Sequence, residues 1–344
     1  MTAATGRTLR LGTLSTRVGG RAVVAGAVCL AVAVVLALVW LGLGSIALTP
    51  GEVVGALLGQ GDRAATTVVV EWRLPRVLSA LVLGAALGVS GAICQSLTRN
   101  PLGSPDIVGF TSGSHTGALL VLVVAGGTYG QLAFGALAGG IATAVVVYLL
   151  AWSRGMQGFR LIIVGIGITA MLGSLNTWLL LTADVEVALG ASAWTAGSLN
   201  GARWPDAGIA TATAALLILV ACVAARPLRQ LELGDAIATT SGVRIERARL
   251  GLLVLSVALT AVVTAVAGPI NFIALAAPQI ARRLTRAAGV TVLPSACVGA
   301  LLLTASDGAA QWVFDPVQLP VGVVTVCIGG AYLVWLLVHE ARRR

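Results

Sequence analysis

Four polar side chains lie close together within an otherwise apolar stretch of the sequence: Ser112, Ser114, His115 and Thr116. Nucleophilic hydrolases combine a histidine with a serine, but they also need an acidic partner that orients the histidine. No Asp or Glu lies near the middle of the apolar segments. We therefore expect no catalytic residues, and we predict that these side chains either line a passage or bond to neighbouring helix carbonyls.

Small residues surround this polar group. Gly109, Gly113 and Gly117 recur every four residues, which places them on one face of a helix. Such a face lets a second helix approach closely, so we predict that these glycines pack against a neighbouring helix.

Metal chemistry is not expected from this sequence. The five cysteines lie singly in apolar segments, without the paired spacing of zinc or redox motifs: Cys29, Cys94, Cys222, Cys297 and Cys327. No cluster of His, Cys or carboxylate residues falls within these segments either. We therefore predict no metal site and interpret the cysteines as small buried apolar side chains.

Arg73 and Arg76 lie one helical turn apart at the start of an apolar segment, with Pro75 between them. Proline suits the first turn of a helix, and side chains three positions apart project from the same face. Two guanidinium groups in this arrangement can bind carboxylates of a partner protein. The alternative is that both arginines simply extend from the membrane into water.

The largest loop on the predicted cytoplasmic side, residues 226–249, predicts two short helices interrupted at Gly242. Leu233, Ala236 and Ile237 share one face of the first helix. An amphipathic element of this kind either lies at the lipid surface or inserts into a groove on a cytoplasmic protein. The spacing is compatible with both interpretations.

Composition indicates the class of protein to which these residues belong. Of the 344 residues, 58% are hydrophobic and only 10% are charged, whereas soluble domains carry about 25% charged residues. We therefore predict an all-α polytopic membrane protein with about ten transmembrane helices. The eighth apolar segment is short and follows a Gly-Pro pair, which is typical of a broken helix. The ten segments are 21–43, 77–97, 107–125, 130–152, 160–182, 207–225, 250–268, 270–284, 291–306 and 321–338.

The distribution of arginine predicts the orientation of the chain. All 22 basic residues are arginine, and with a cytoplasmic N-terminus 18 of them fall on the cytoplasmic side. This asymmetry follows the positive-inside rule for ten spans with both termini in the cytoplasm. The resulting organisation is a basic N-terminal segment (1–20), a membrane domain (21–338) that contains the loop 226–249, and a basic tail (339–344).

The energy for any transport is expected to come from another protein. A Walker A phosphate loop needs a lysine, and the sequence has none. Ion-coupled carriers place ionisable residues near the middle of the membrane, so their absence there disfavours a secondary transporter. A membrane-embedded enzyme is supported only by His115. Nucleic-acid binding is not expected, because the arginines interrupt apolar segments instead of forming a patch.

Taken together, these features resemble the FecCD-type permeases, which are membrane subunits of ABC importers for ferric siderophores, haem and cobalamin. Five blocks match in the same order and extend over nearly the whole chain: 73–76, 100–106, 233–243, 268–282 and 319–325. Residues 100–111 and 197–204 are most similar to permeases for ferric enterobactin, a catecholate siderophore.

The resemblance implies a type II importer fold with two related five-helix halves. It also implies a second permease subunit, with a different chain favoured over a second copy of this one, two cytoplasmic ATPase subunits that bind ATP and Mg²⁺, and an extracytoplasmic substrate-binding protein. This chain would then bind no cofactor and catalyse no reaction. The expected function is import of a ferric siderophore, of the catecholate type, across the cytoplasmic membrane of a bacterium. Haem and cobalamin are the alternative cargoes.

The resemblance also implies roles for particular residues. Arg73 and Arg76 would form salt bridges with glutamates of the binding protein. Gln157 and Gly158 would lie at the gate, and the polar residues of segment 107–125 would line the pathway. The loop 226–249 would contact the ATPase through Leu231, Glu232, Leu233, Gly234, Asp235, Ile237, Gly242 and Val243.

Three features depart from the family pattern. The family has a Gly-Leu-x-x-Pro-His motif near the eighth segment, and the corresponding residues here are Ala274, Leu275, Pro278 and Gln279. Gln311 replaces a third docking arginine, so we expect docking on this subunit to be weaker or shared unequally with the second permease. Phe159 stands before Arg160, where the family gate has a small polar residue.

Overall fold

The computed structural model of the chain is built mainly from helices, as the apolar pattern predicts. It describes residues 6–11, 14–44, 46–126, 129–151, 158–289, 291–312 and 318–341. Within these residues, ten helices coincide with the ten predicted apolar segments. They are α1 (Gly20–Gly42), α4 (Leu74–Thr98), α5 (Phe110–Ala125), α6 (Tyr129–Ala151), α7 (Gly158–Thr182), α9 (Trp204–Glu232), α11 (Ile245–Ala267), α12 (Ile273–Thr285), α13 (Val292–Trp312) and α14 (Val321–Ala341).

Seven stretches of the described chain are long and apolar enough to cross a membrane, judged by length and composition. They are Gly20–Gly42, Arg63–Thr98, Gln131–Ala151, Gly158–Thr182, Trp204–Glu232, Ile245–Ala267 and Val292–Trp312. Two of the remaining three long helices are too short for this criterion, since α5 has 16 residues and α12 has 13. In α14, Val321–Trp335 forms a shorter apolar helical stretch.

Shorter elements connect the long helices. They are α2 (Pro50–Leu57), α3 (Arg63–Thr66), a π-helical turn (Thr67–Arg73) that leads directly into α4, α8 (Val185–Thr195) and α10 (Asp235–Thr240). An antiparallel hairpin precedes them, formed by β1 (Gly6–Leu11) and β2 (Leu14–Gly19). The basic N-terminal segment therefore pairs its backbone groups between strands, and the all-helical part of the fold begins at Gly20.

Helix α4 packs so closely on two neighbours that glycine is required at the contacts. A Cβ on Gly84 or Gly88 would collide with the backbone of Gly299 or Ser295 in α13. A Cβ on Gly91 would collide with the carbonyl of Ala274 in α12. The absence of side chains at these positions brings the helix axes together and buries most of α4.

A second close contact joins α5 to α6. Gly113 and Gly117 of α5 face Gly135 and Gly139 of α6, and a Cβ on any of the four would meet the opposite backbone. The predicted glycine face therefore lies between these two helices. Gly109 has a different position: it precedes α5 with a φ of +92° and faces α7.

Hydroxyl groups connect α4 to α11 inside the apolar core. The Oγ atom of Ser90 lies 2.7 Å from that of Ser256 and 2.9 Å from Oγ1 of Thr260. The thiol of Cys94 lies 3.2 Å from the Ser256 hydroxyl. Because all four side chains are buried, each polar group finds its partner within the cluster.

The close contact of α5 with α6 predicts a difference between two glycine substitutions. Gly117→Ala places a methyl group against the Gly135 carbonyl, so we expect it to lower the free energy of unfolding by about 1–3 kcal/mol. Gly173→Ala is the matched control, because an added Cβ there meets nothing within 4 Å. Thermal unfolding in detergent measures both variants. An equal loss of stability in the two would contradict the packing described here.

Candidate functional site

Arg76 forms a buried ion pair with Asp307 where the first turn of α4 meets α13. Its Nε donates to Oδ2 at 2.9 Å and its Nη2 donates to Oδ1 at 2.8 Å. The two side chains are 12% and 2% exposed. Gln311 donates its Nε2 to the same carboxylate at 3.0 Å. Much of the hydrogen-bonding capacity of Arg76 is therefore used within the chain.

Arg73 holds the connection between α1 and α2. Its Nη1 donates to the carbonyl of Leu41 at 2.8 Å, and its Nη2 donates to the carbonyl of Ile46 at 2.6 Å. The Leu41 carbonyl lies in the last turn of α1, where a helix leaves carbonyl groups unpaired. Gly44 has a φ of +148° and lies against the guanidinium, so this position needs glycine both for its backbone and for space.

Both arginines border a polar cleft with a volume of about 230 Å³. Trp40 and Trp72 contribute apolar walls, and three side-chain amides add hydrogen-bonding groups. We call this site the arginine cleft; the residues that define it are Trp40, Trp72, Arg73, Arg76, Asn200, Gln311 and Gln318. Its size suits one or two side chains of a partner and is below the range of about 300–1,000 Å³ that is usual for small-molecule sites.

The loop after α9 contains one short helix, α10, between two glycines with positive φ. Gly234 (φ +114°) and Gly242 (φ +82°) turn the chain before and after it. Leu233 and Ile237 are 66% and 48% exposed and form an apolar surface. The predicted break at Gly242 is therefore present, but the predicted second short helix is not separate: the chain enters the long helix α11 at Ile245.

Two other apolar residues of this loop are not part of that surface. Leu231 is buried and Val243 is half-buried, and both pack in the main core. The large exposed apolar side chains of the loop are Leu233 and Ile237, and the smaller Ala236 beside them is also exposed.

The two acidic residues of the loop face other parts of the same chain. The Oδ1 atom of Asp235 accepts hydrogen bonds from Nη2 of Arg99 at 2.7 Å and from Nη2 of Arg249 at 2.8 Å. The carboxylate of Glu232 lies over Gly289, where a Cβ would be 2.5 Å from its Oε2. Both carboxylates therefore have contacts inside the chain, and their role as polar contacts with an ATPase stays a prediction.

His115 joins three helices inside the subunit. Its Nε2 lies 3.0 Å from Oγ1 of Thr195 in α8, and its Nδ1 lies 3.3 Å from Nδ2 of Asn176 in α7. The ring of Trp194 is 5.5 Å away, centroid to centroid. His115 therefore acts as a buried hydrogen-bonding partner for α7 and α8.

The neighbouring polar residues of α5 also point away from any open surface of this chain. Ser114 and Thr116 are buried, and Thr116 donates to the carbonyl of Ser112 at 2.8 Å. Ser112 alone among the predicted pathway residues of α5 is half-buried. Within this chain Ser114 faces Gly140 of α6, and His115 faces α7 and α8. A pathway lined by Ser114, His115 and Thr116 stays a prediction.

The predicted gate falls at the start of α7. Gln157 lies outside the described residues. Gly158 is the first residue of α7, and a Cβ on it would collide with the backbone of Thr98 at the end of α4. Glycine at this position thus lets α7 begin in direct contact with α4.

Gln279, which stands where the family has histidine, connects α12 to two other elements. Its Nε2 donates to Oε1 of Gln95 at 2.8 Å and to the carbonyl of Pro101 at 2.9 Å. Gln95 in turn donates to the carbonyl of Leu275 at 3.0 Å. Gln279 can make both of its hydrogen bonds because the NH₂ group of its side-chain amide carries two N–H donors.

Three residues that the sequence analysis did not identify complete these sites. Asp307 neutralises Arg76, and Arg99 and Arg249 bind Asp235. Asp307 directly follows the predicted segment 291–306, on the same predicted outer side as Arg76, and this position could have suggested it as a partner for that arginine. Arg99 and Arg249 resembled the other cytoplasmic arginines and gave no such signal.

Comparison with known proteins decides the family. Residues 29–339 match the model of the FecCD transport family. The chain belongs to the FecCD transport family. It is 51% identical to the ferric enterobactin transport system permease protein FepG of Escherichia coli (strain K12), over 91% of this chain and 95% of that protein. It is also 36% identical to the siderophore transport system permease protein YfhA of Bacillus subtilis (strain 168), over 86% and 89% of the two chains.

A solved structure extends this FecCD assignment to the fold. The chain is similar to an inward-facing conformation of a metal-chelate type ABC transporter, with a TM-score of 0.80 and 27% sequence identity. The similarity covers 92% of this chain and 98% of that one. The resemblance found in the sequence motifs is thereby confirmed.

The ion pair of Arg76 predicts a marked cost for removing its partner. Asp307→Ala leaves a buried guanidinium without its counter-charge, so we expect a loss of about 3–5 kcal/mol in the free energy of unfolding. Arg76→Met combined with Asp307→Ala is expected to recover part of this loss. Glu71→Ala, at an exposed acid near the same end of α4, is the control. Unfolding followed in detergent gives the comparison, and equal stability of the Asp307 and Glu71 variants would contradict it.

Proposed function

We propose that this chain is a permease subunit of an ATP-driven importer that moves a ferric siderophore of the catecholate type across the cytoplasmic membrane. The observation that carries this proposal is membership of the FecCD family together with 51% identity to FepG over nearly the whole chain. The chain performs no catalysis, and ATP and Mg²⁺ bind to a separate ATPase subunit.

The proposed topology has ten spans, two related five-helix halves and both termini in the cytoplasm. The arginine asymmetry supports this orientation. The short helix α12 is about 20 Å long at 1.5 Å per residue, so it needs protein around it. Burial of its first six residues, 273–278, meets this need.

The arginine cleft is the proposed docking site for the substrate-binding protein. Asp307 neutralises Arg76, but the positive Arg73 and the amides of the cleft complement acidic side chains, and Nη1 of Arg76 forms no hydrogen bond with the described residues. Gln311 supplies an amide where the family has a third arginine. Near the end of α4 opposite the cleft, Leu233 and Ile237 provide the proposed apolar surface for an ATPase subunit.

Helix α7 is the proposed contact with a second permease subunit, which we expect to be a different chain. It is mostly exposed, and one of its exposed faces carries Gly167, Ala170, Ser174 and Thr177. Small residues on a membrane helix permit close approach of another helix. The pathway is then proposed to lie between the two subunits.

Uptake of labelled cargo tests this function. Cells that lack only this gene receive radioactive ferric catecholate, ferric hydroxamate, haem or cobalamin. We expect uptake of the ferric catecholate to fall selectively and to return when the gene is restored. If uptake of another cargo falls instead, that cargo is the substrate. Unchanged uptake of all four cargoes in a strain that also lacks a second such permease would contradict the proposal.

Docking is tested by adding charge to the arginine cleft. Gln311→Arg is expected to tighten binding of the substrate-binding protein by about tenfold at low salt, and less at high salt, because exposed charges are screened. Gln60→Arg adds the same charge at an exposed position outside the cleft. Affinity is measured with the permease in nanodiscs. Equal tightening by both variants would show that the cleft is not the docking site.

A further inference from the structure

One carboxylate connects three elements at the end of the molecule opposite the arginine cleft. Asp235 is the first residue of α10, Arg99 directly follows α4, and Arg249 lies near the start of α11. Besides the two bonds to its Oδ1, Asp235 accepts a hydrogen bond at Oδ2 from Nη2 of Arg249 at 2.9 Å. We call these three residues the Asp235 triad.

Arg99 has an unusual backbone that places it in the triad. Its φ of +50° lies in the left-handed region, which non-glycine residues rarely adopt. From there its Nη2 also donates to the carbonyl of Leu231, near the end of α9, at 2.9 Å. Glycine would adopt this backbone more easily, so the presence of arginine indicates that its side-chain bonds matter.

The end of α4 also contacts α7. Thr98, next to Arg99, lies against Gly158 so closely that no Cβ fits between them. Two consecutive residues at the end of α4 therefore contact the loop that carries α10 and the first residue of α7. Displacement of α10 reaches α7 through this short path if Asp235 keeps α10 attached to α4.

We propose that the Asp235 triad is a positioning device that makes α10 move together with the ends of α4 and α11. The proposal rests on the proposed function as an importer permease. Asp235 then acts inside the subunit, and Leu233 and Ile237 contact the ATPase. When the ATPase displaces α10, the triad transmits the movement to α4 and, through Gly158, to α7.

The environment of the triad favours transmission over simple stabilisation. Arg99 and Asp235 are 47% and 49% exposed, so their ion pair contributes little to folding. Arg249 is 9% exposed and is also 3.9 Å from the carboxylate of Glu246 in its own helix. Its guanidinium is thus fixed on α11, and Asp235 is the group that joins α10 to it.

The experiment compares coupling with assembly in the complete importer. Permease, ATPase and cargo-loaded binding protein are reconstituted with Asp235→Asn or Asp235→Ala in the permease. We expect cargo transported per ATP hydrolysed to fall at least fivefold, while the affinity between permease and ATPase changes less than twofold. Arg247→Ala, which removes an exposed charge from the same loop, is the control and is expected to keep the wild-type ratio.

A fall in ATPase affinity as large as the fall in transport would overturn the proposal, because Asp235 would then be a direct contact. A double-mutant cycle adds a second criterion. As a single substitution, Arg249→Gln is expected to reduce coupling, but it should add little in the Asp235→Ala background, since both substitutions break the same ion pair. Additive losses would overturn the proposal. Wild-type permease that neither binds the ATPase nor transports cargo would overturn the proposed function as well.

Discussion

Helix α4 lies at the centre of the fold because its glycines allow other backbones to touch it. Gly84 and Gly88 bring α13 into contact, Gly91 brings α12, and the Ser90 hydroxyl bonds to α11. A membrane offers little hydrophobic force between helices, so close backbone approach and buried hydrogen bonds must provide the attraction. Most of the described protein is arranged around this helix, and a side chain at any of its close contacts would move a neighbour.

The two ends of α4 carry the groups that connect this packing to function. At one end Arg76 is bound by Asp307, beside the arginine cleft. At the other end Arg99 binds Asp235 and so contacts the loop that carries α10. Helix α4 (Leu74–Thr98) runs without a break between these two ends. An α-helix rises about 1.5 Å per residue along its axis. The docking surface and the ATPase surface of the proposed importer are therefore joined by one closely packed helix.

The sequence predicted the helices well because apolar length and glycine spacing act locally. All ten apolar segments coincide with helices, and Gly113 and Gly117 lie in a helix contact. Residue roles were harder to predict. The resemblance implied that Arg73, Arg76 and Asp235 contact other proteins, but all three bind groups within the chain that are distant in sequence. Likewise, spacing alone could not indicate that Ser114 is buried against Gly140 of α6. Motif and periodicity report on single elements, whereas these bonds depend on how elements meet.

The central claim is that α10 stays attached to the end of α4 while the importer works. Spin labels at Thr240 on α10 and at Leu102 after α4, both exposed, report this distance in the assembled complex once exposed Cys327 has been replaced by serine. Pulsed electron paramagnetic resonance compares the nucleotide-free and ATP-bound states. The same distance between α10 and the end of α4 is expected in both states, while labels on the exposed faces of α7 in the two permease subunits change their separation. A change of several ångströms between α10 and α4 would contradict it.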